Sequence, residues 1–101
     1  MITSNNNNNF AMKFANGLTI SVAFGDGNYC ERKNTNTRHN EPSKVTTNTA
    51  EICIWGENNI DFEYNGDGVI GWLNADEIAQ WISATQQATC IADIVIPKQG
   101  S

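Results

Sequence analysis

With 101 residues, 40% of them hydrophobic, this chain has enough apolar material for one compact core and too little for a second domain. No stretch approaches 18 consecutive apolar residues and no secretory signal is recognisable, so we expect neither a membrane helix nor export, and a cytoplasmic location. The net charge of −5 is uneven, because residues 1–44 carry five Lys or Arg against three acids and residues 45–101 carry one against eight. This balance argues against nonspecific binding of duplex nucleic acid, which needs a broad basic face.

The N-terminal residues 1–11 are predicted to form a disordered leader. Five consecutive asparagines occupy positions 5–9, and such a polar tract buries no apolar area to offset the entropy lost on ordering. The folded domain is therefore expected to span residues 12–97, followed by a short tail at 98–101.

A first β-hairpin is predicted around Asn16-Gly17. Apolar runs at 10–14 and 18–24 flank this dipeptide, which is a strong signal for a tight hairpin turn. The second run alternates, so it should direct its apolar side chains to one face: Leu18, Ile20, Val22 and Phe24. A long polar loop is expected to follow over residues 25–49.

A second hairpin is predicted from strands at 50–55 and 60–64, joined across 56–59. Its inward residues would be apolar, whereas its acidic residues would face outward. The inward set is Ile52, Ile54, Ile60, Phe62 and Tyr64, and the outward set is Glu51, Asp61 and Glu63. A turn at 65–68 then leads into a further apolar segment at 69–73.

One helix is predicted to begin at Ala75. Asn74 is a good N-cap and Glu77 stands at the capping-box position, three residues later. Apolar and small residues then recur at helical spacing and should pack on the sheet: Ile78, Trp81, Ile82 and Thr85. The β-branched segment 90–96 is predicted to be a last strand. The fold class is therefore α+β, a small antiparallel sheet of two hairpins plus a C-terminal strand, with one helix packed on one face.

The three cysteines are predicted to be free thiols of a reducing compartment. An odd number without CxxC spacing does not indicate a disulfide framework. Cys53 and Cys90 lie in apolar segments and are expected in the core, which leaves Cys30 as the candidate for exposure.

The polar loop offers a candidate binding site. Asn28 supplies hydrogen-bond donors and an acceptor, Tyr29 a flat face for stacking, and Arg32 a fork for an anion. Together with Arg38 these residues suit a cyclic nucleotide, held at a homodimer interface because one small chain has little room for a deep cavity. The alternative interpretation of this segment is a glycine-rich turn that leaves a strand.

A second candidate surface is acidic. Glu57, Asp61 and Glu63 are expected to project outward, where their carboxylates would suit a basic partner. Trp55 and Trp72 fall at the ends of predicted strands, where indole groups line pockets or interfaces, although core packing is the alternative.

Metal, cofactor and catalytic residues are not expected. Residues 61–66 match the start of a calcium-binding loop, but Trp72 stands where that loop requires a bidentate Glu. His39 is the only histidine and has no neighbouring Cys at zinc spacing. A nucleophile built from Cys30 and His39 remains formally possible, but no orienting group accompanies it.

Four short motifs resemble a group of small uncharacterised proteins encoded by bacteriophages. The motifs begin at Asn16-Gly17-Leu18, Phe24-Gly25, Ala50-Glu51-Ile52 and Gly71-Trp72-Leu73, and the resemblance runs from Met12 to about Ala88. It implies a setting in the host cytoplasm, where small acidic phage proteins act against host defence.

Three functional hypotheses follow from the resemblance and the residues. The first is a non-enzymatic counter-defence protein, with a host defence protein or a cyclic nucleotide as its partner. It would block a CRISPR effector nuclease with the acidic residues of 51–77, as an anti-CRISPR protein does, or sequester a nucleotide signal. The second is a virion structural or assembly protein that self-associates through an exposed strand, and the third is an enzyme that uses Cys30.

Overall fold

The computed structural model describes residues 1–4, 8–25, 27–33 and 46–97. These residues form a five-stranded antiparallel sheet with one helix on one of its faces, which confirms the α+β fold class. The strands lie side by side in chain order: β1 (Ile2–Thr3), β2 (Asn9–Lys13), β3 (Thr19–Ala23), β4 (Ala50–Trp55) and β5 (Ile70–Leu73). The helix α1 (Ala75–Gln87) follows β5, and 3-10 turns lie at Glu57–Asn59 and Ile91–Asp93.

The turn between β2 and β3 confirms the first predicted hairpin. Gly17 has a φ of +88°, a conformation that glycine adopts without steric cost. Asn16 does more than form the turn, because its Nδ2 donates hydrogen bonds to the carbonyl oxygens of Thr85 (2.9 Å) and Ala88 (2.6 Å). The hairpin turn thus satisfies carbonyl groups at the C-terminal end of α1 and ties the helix to the sheet.

The start of α1 also agrees with the sequence. The Asn74 side chain accepts a hydrogen bond from the backbone N–H of Glu77, and the Glu77 carboxylate accepts one from the backbone N–H of Asn74. Trp81 and Thr85 are buried against the sheet, and the rings of Phe62 and Tyr64 each meet the Trp81 indole edge-on at 5.8 Å. No helix within the described ranges has the length and hydropathy that crossing a bilayer requires.

The core lies between α1 and one face of the sheet. Alternate residues of β3 and β4 supply half of its buried members, as their apolar periodicity predicts. The buried members are Leu18, Ile20, Val22, Ala50, Ile52, Ile54, Leu73, Trp81, Ala88 and Ile94.

Two predicted strands are wrong. Residues 60–64 form only an isolated bridge between Asp61 and Trp55 and another between Tyr64 and Asp67, and Ile60, expected inward, is 59% exposed. The ladder partner of β4 is β5 instead. Residues 90–96 form a 3-10 turn and an extended segment, because Ile94 packs into the core without pairing to a strand.

The prediction of a disordered leader over residues 1–11 is also wrong at both of its ends, where the chain forms strands. Ile2–Thr3 pairs with β2, and β2 itself begins at Asn9. The first three asparagines of the tract, at 5–7, and the predicted tail at 98–101 lie outside the described residues.

Two cysteines exchange the environments predicted for them. Cys30 is completely buried and its Sγ lies 3.7 Å from the carbonyl oxygen of Gly25, whereas Cys90 is exposed. Cys53 is half-buried, on the face of β4 that α1 does not cover. No disulfide joins the described cysteines, all three of which are free thiols.

Candidate functional site

The candidate site lies on the face of the sheet opposite α1. Strand pairing arranges its side chains in two adjacent rows. We call this surface the open face and define it by Thr3, Ala11, Ser21 and Cys53 in one row and Lys13, Thr19 and Trp55 in the next. Because most of these side chains are small, the face lacks the apolar bulk of the covered side.

A shallow depression of about 400 Å³ lies on the open face. Thr19, Ser21 and Ala11 line it together with Lys13, and Trp55 contributes an aromatic surface. The sequence-predicted Trp55 therefore lies at a concave site, beside residues that sequence reasoning did not single out. Their only sequence signal is the alternation that directs them away from the core.

An acidic rim, defined as Glu57, Asp61 and Glu63, follows Trp55 in the chain, and two of its members, Glu57 and Asp61, border the open face. All three residues are exposed, and the bridge between Trp55 and Asp61 extends the second row of the open face by one residue. Glu57 forms an exposed ion pair with Lys13, with 3.6 Å between Oε1 and Nζ.

Nearby carboxylates affect the pKa of the Cys53 thiol. Its thiol pKa is raised by partial burial and, to a smaller extent, by the negative charges of Glu51, Asp61 and Asp67. Burial and these three carboxylates therefore disfavour the thiolate form of Cys53.

Glu51 anchors the polar loop to the sheet. Its Oε1 accepts hydrogen bonds from Asn28 Nδ2 and from the backbone N–H of Tyr29, both at 2.8 Å. The loop covers the carboxylate so well that Glu51 is only 7% exposed, although its strand position faces away from α1. No local pattern identifies this contact, because its partners are more than 20 residues apart.

The predicted anion-binding residues are engaged within the chain. Asn28 also accepts a hydrogen bond from the backbone N–H of Gly25 (2.8 Å), and Arg32 Nη1 donates to the carbonyl oxygen of Phe24 (3.1 Å). The buried Glu51 carboxylate lies directly beneath Asn28 and Tyr29. Arg38 lies outside the described residues.

Trp72 and Tyr29 form a separate exposed aromatic site. Trp72 has a φ of +58°, which is strained for a bulky residue, and it lies in a β-bulge opposite Glu51. Its backbone N–H donates to the carbonyl oxygen of Tyr29 (2.8 Å), while 56% of Trp72 and 51% of Tyr29 remain exposed. Lys33 Nζ lies 4.6 Å from the centroid of the Tyr29 ring.

Metal ligands are not grouped in the part of the chain that the structure describes, where no three His, Cys, Asp or Glu side chains are placed to share an ion. His39 lies outside that part. Comparison with protein-family models, with curated proteins and with solved structures finds no match for this chain. A function must therefore be inferred from the surfaces described above.

Proposed function

We propose that this protein is a non-enzymatic counter-defence protein of a bacteriophage, which binds a CRISPR effector nuclease and occupies the groove where the nuclease holds nucleic acid. The acidic rim carries this proposal. Glu57, Asp61 and Glu63 are exposed within one short segment, and no Lys or Arg occurs between residues 46 and 97. The resemblance to small phage proteins supplies the biological setting.

The physical basis is charge complementarity. A groove that holds a phosphate backbone is lined by Lys and Arg, and it attracts exposed carboxylates for the same reason that it attracts phosphates. Opposite surface charges mainly raise the association rate and select the partner. An acidic protein of this kind therefore competes with the nucleic acid and does not need to transform it.

Sequestration of a cyclic nucleotide is less well supported by the geometry of the loop. Asn28 uses both ends of its side-chain amide within the chain, and the Glu51 carboxylate lies next to the backbone N–H of Tyr29. A phosphate placed there would meet a negative charge in a partly desolvated position. The acidic rim is the better candidate for the partner surface.

The proposal is tested by inhibition of purified, guide-loaded CRISPR effectors, with Cas9 as the first of a panel. Cleavage of a DNA target should stop at a fixed molar ratio of this protein to effector. The double variant Glu57→Gln/Glu63→Gln should raise the dissociation constant about tenfold and weaken its dependence on salt. Asp61 is left unchanged because it also borders the open face.

A charge-matched control separates position from net charge. The variant Gln80→Lys/Gln86→Lys changes the net charge by the same amount, through two exposed positions on α1. It should leave inhibition unchanged. Equal losses in both variants, inhibition of no effector in the panel, or consumption of a substrate with multiple turnovers would contradict the proposal.

A further inference from the structure

We infer that the open face is the contact surface of a symmetric dimer formed with a second copy of this chain, with the two-fold axis running along the strands between β3 and β4. The inference goes beyond the proposed function, since a dimer of this kind needs no effector nuclease. It rests on how charge, size and shape are arranged across the open face.

The charges are self-complementary. Strand pairing and the adjoining bridge place Lys13, Thr19, Trp55 and Asp61 in one row across the sheet, in that order. A two-fold axis between β3 and β4 reverses this row in the second copy. Lys13 then meets Asp61 of the second copy, and the same contact is made a second time by symmetry.

The Lys13 ammonium is well placed to contact Asp61 of the second copy. Lys13 is about half exposed, and it is the one Lys or Arg on the open face as the described strands define it. Its ion pair with Glu57 is on the surface and therefore contributes little on its own. A Lys ammonium carries three donors, so Lys13 can keep Glu57 and also bind Asp61 of the second copy.

The shape of the face fits the same arrangement. The reversed row places Trp55 of one copy over Thr19 of the other, at the depression of about 400 Å³. In the neighbouring row, Ser21 of one copy meets Cys53 of the other. Both side chains are small enough for the two sheets to approach to about 10 Å. An aromatic side chain inserted into a concave site is a common anchor of protein interfaces.

The occupant is therefore a second copy and not an unrelated protein. A partner that was only basic would leave Lys13 opposed by like charge, and a partner that was only acidic would do the same to Asp61. The open face itself carries both signs at opposite ends of one row, with the uncharged Thr19 and Trp55 between them.

Sedimentation over a concentration series tests the dimer. The wild-type chain should pass from monomer to dimer, with no growth beyond the dimer. Lys13→Glu and Asp61→Lys should each raise the dimer dissociation constant at least about tenfold, and the double variant Lys13→Glu/Asp61→Lys should restore the dimer because the pair is rebuilt with reversed signs. Asp76→Lys, on the first turn of α1, should have no effect on the dimer.

Cross-linking provides a second measurement that does not depend on charge variants. In a Cys30→Ala/Cys90→Ser background, a short bismaleimide should link Cys53 to Cys53 of the second copy, because both thiols lie next to the axis. A Cys53→Ser chain should give no product. A monomer at every concentration, failure of the double charge reversal to restore the dimer, no Cys53 cross-link, or growth beyond two copies would each overturn the inference.

Discussion

The two faces of the sheet come from the same strands and differ in almost every physical property. The face beneath α1 carries large aliphatic side chains that are removed from water, whereas the open face carries small and polar ones. Period-two alternation assigns each residue to a face, and this assignment is local in sequence. Alternation does not predict what packs on each face, because the covering element comes from a distant part of the chain or from another molecule.

The same substitution on each face measures the difference in stability that the two faces contribute. Trp81→Ala should lower the free energy of unfolding by about 3–5 kcal/mol, since the indole is fully buried between α1 and the sheet. Trp55→Ala, on the open face, should lower it by about 1 kcal/mol. Urea unfolding followed by circular dichroism, in dilute protein, measures both values, and equal losses would contradict the difference between the faces.

Local signals account for the parts of the fold that the sequence predicted correctly. The Asn16-Gly17 turn, the alternation of β3 and the capping box at Asn74 each involve residues within a few positions of one another. Residues 60–64 and 90–96 have equally good strand composition, but β4 pairs with β5 instead and Ile94 enters the core from an extended segment. A β-branched, apolar composition favours burial as well as strand pairing, so it does not show whether a segment pairs in the sheet or only packs into the core.

The candidate site was predicted less completely than the fold. Exposed acids and Trp55 could be found from alternation, whereas the contact between Glu51 and the loop could not, since it joins segments with no shared pattern. Burial of Cys30 has the same cause, because the loop that carries it folds onto the sheet through Asn28 and Tyr29. Such contacts depend on the tertiary path of the loop.

Glu51 is the position at which the polar loop covers the open-face side of β4. Glu51→Gln keeps the shape but removes the charge that strengthens two hydrogen bonds, so it should lower the free energy of unfolding by about 1–2 kcal/mol. The amides of residues 27–33 should also exchange hydrogen faster than in the wild type.

The matched control for this substitution is Glu57→Gln. Glu57 is exposed and makes only a surface ion pair, so its loss should change the free energy of unfolding by less than about 0.5 kcal/mol. If the two variants lose equal stability, or if amide exchange in 27–33 is unchanged by Glu51→Gln, the loop is not held by this carboxylate.

The smallest expected effect concerns the Cys53 thiol, on the open-face side of β4. Because the pKa of Cys53 is raised by burial and by Glu51, Asp61 and Asp67, its thiolate forms only at higher pH than in the unfolded chain. Alkylation by iodoacetamide at pH 8 should therefore be several-fold slower in the folded protein than in urea. Asp61→Asn removes one of the charges and should shift the rate profile to lower pH.

The same pKa shift fixes the sign of a stability change. A thiol that holds its proton more tightly when folded contributes fully to stability below its unfolded pKa, near 8.5, and the contribution is lost as the pH rises through the folded value.

The alkylation measurement uses a Cys30→Ala/Cys90→Ser chain, at dilutions where it is monomeric, so that burial in a dimer does not slow the reaction. Faster alkylation in the folded state, or a profile that Asp61→Asn moves to higher pH, would show that burial and the neighbouring carboxylates do not raise the pKa of Cys53.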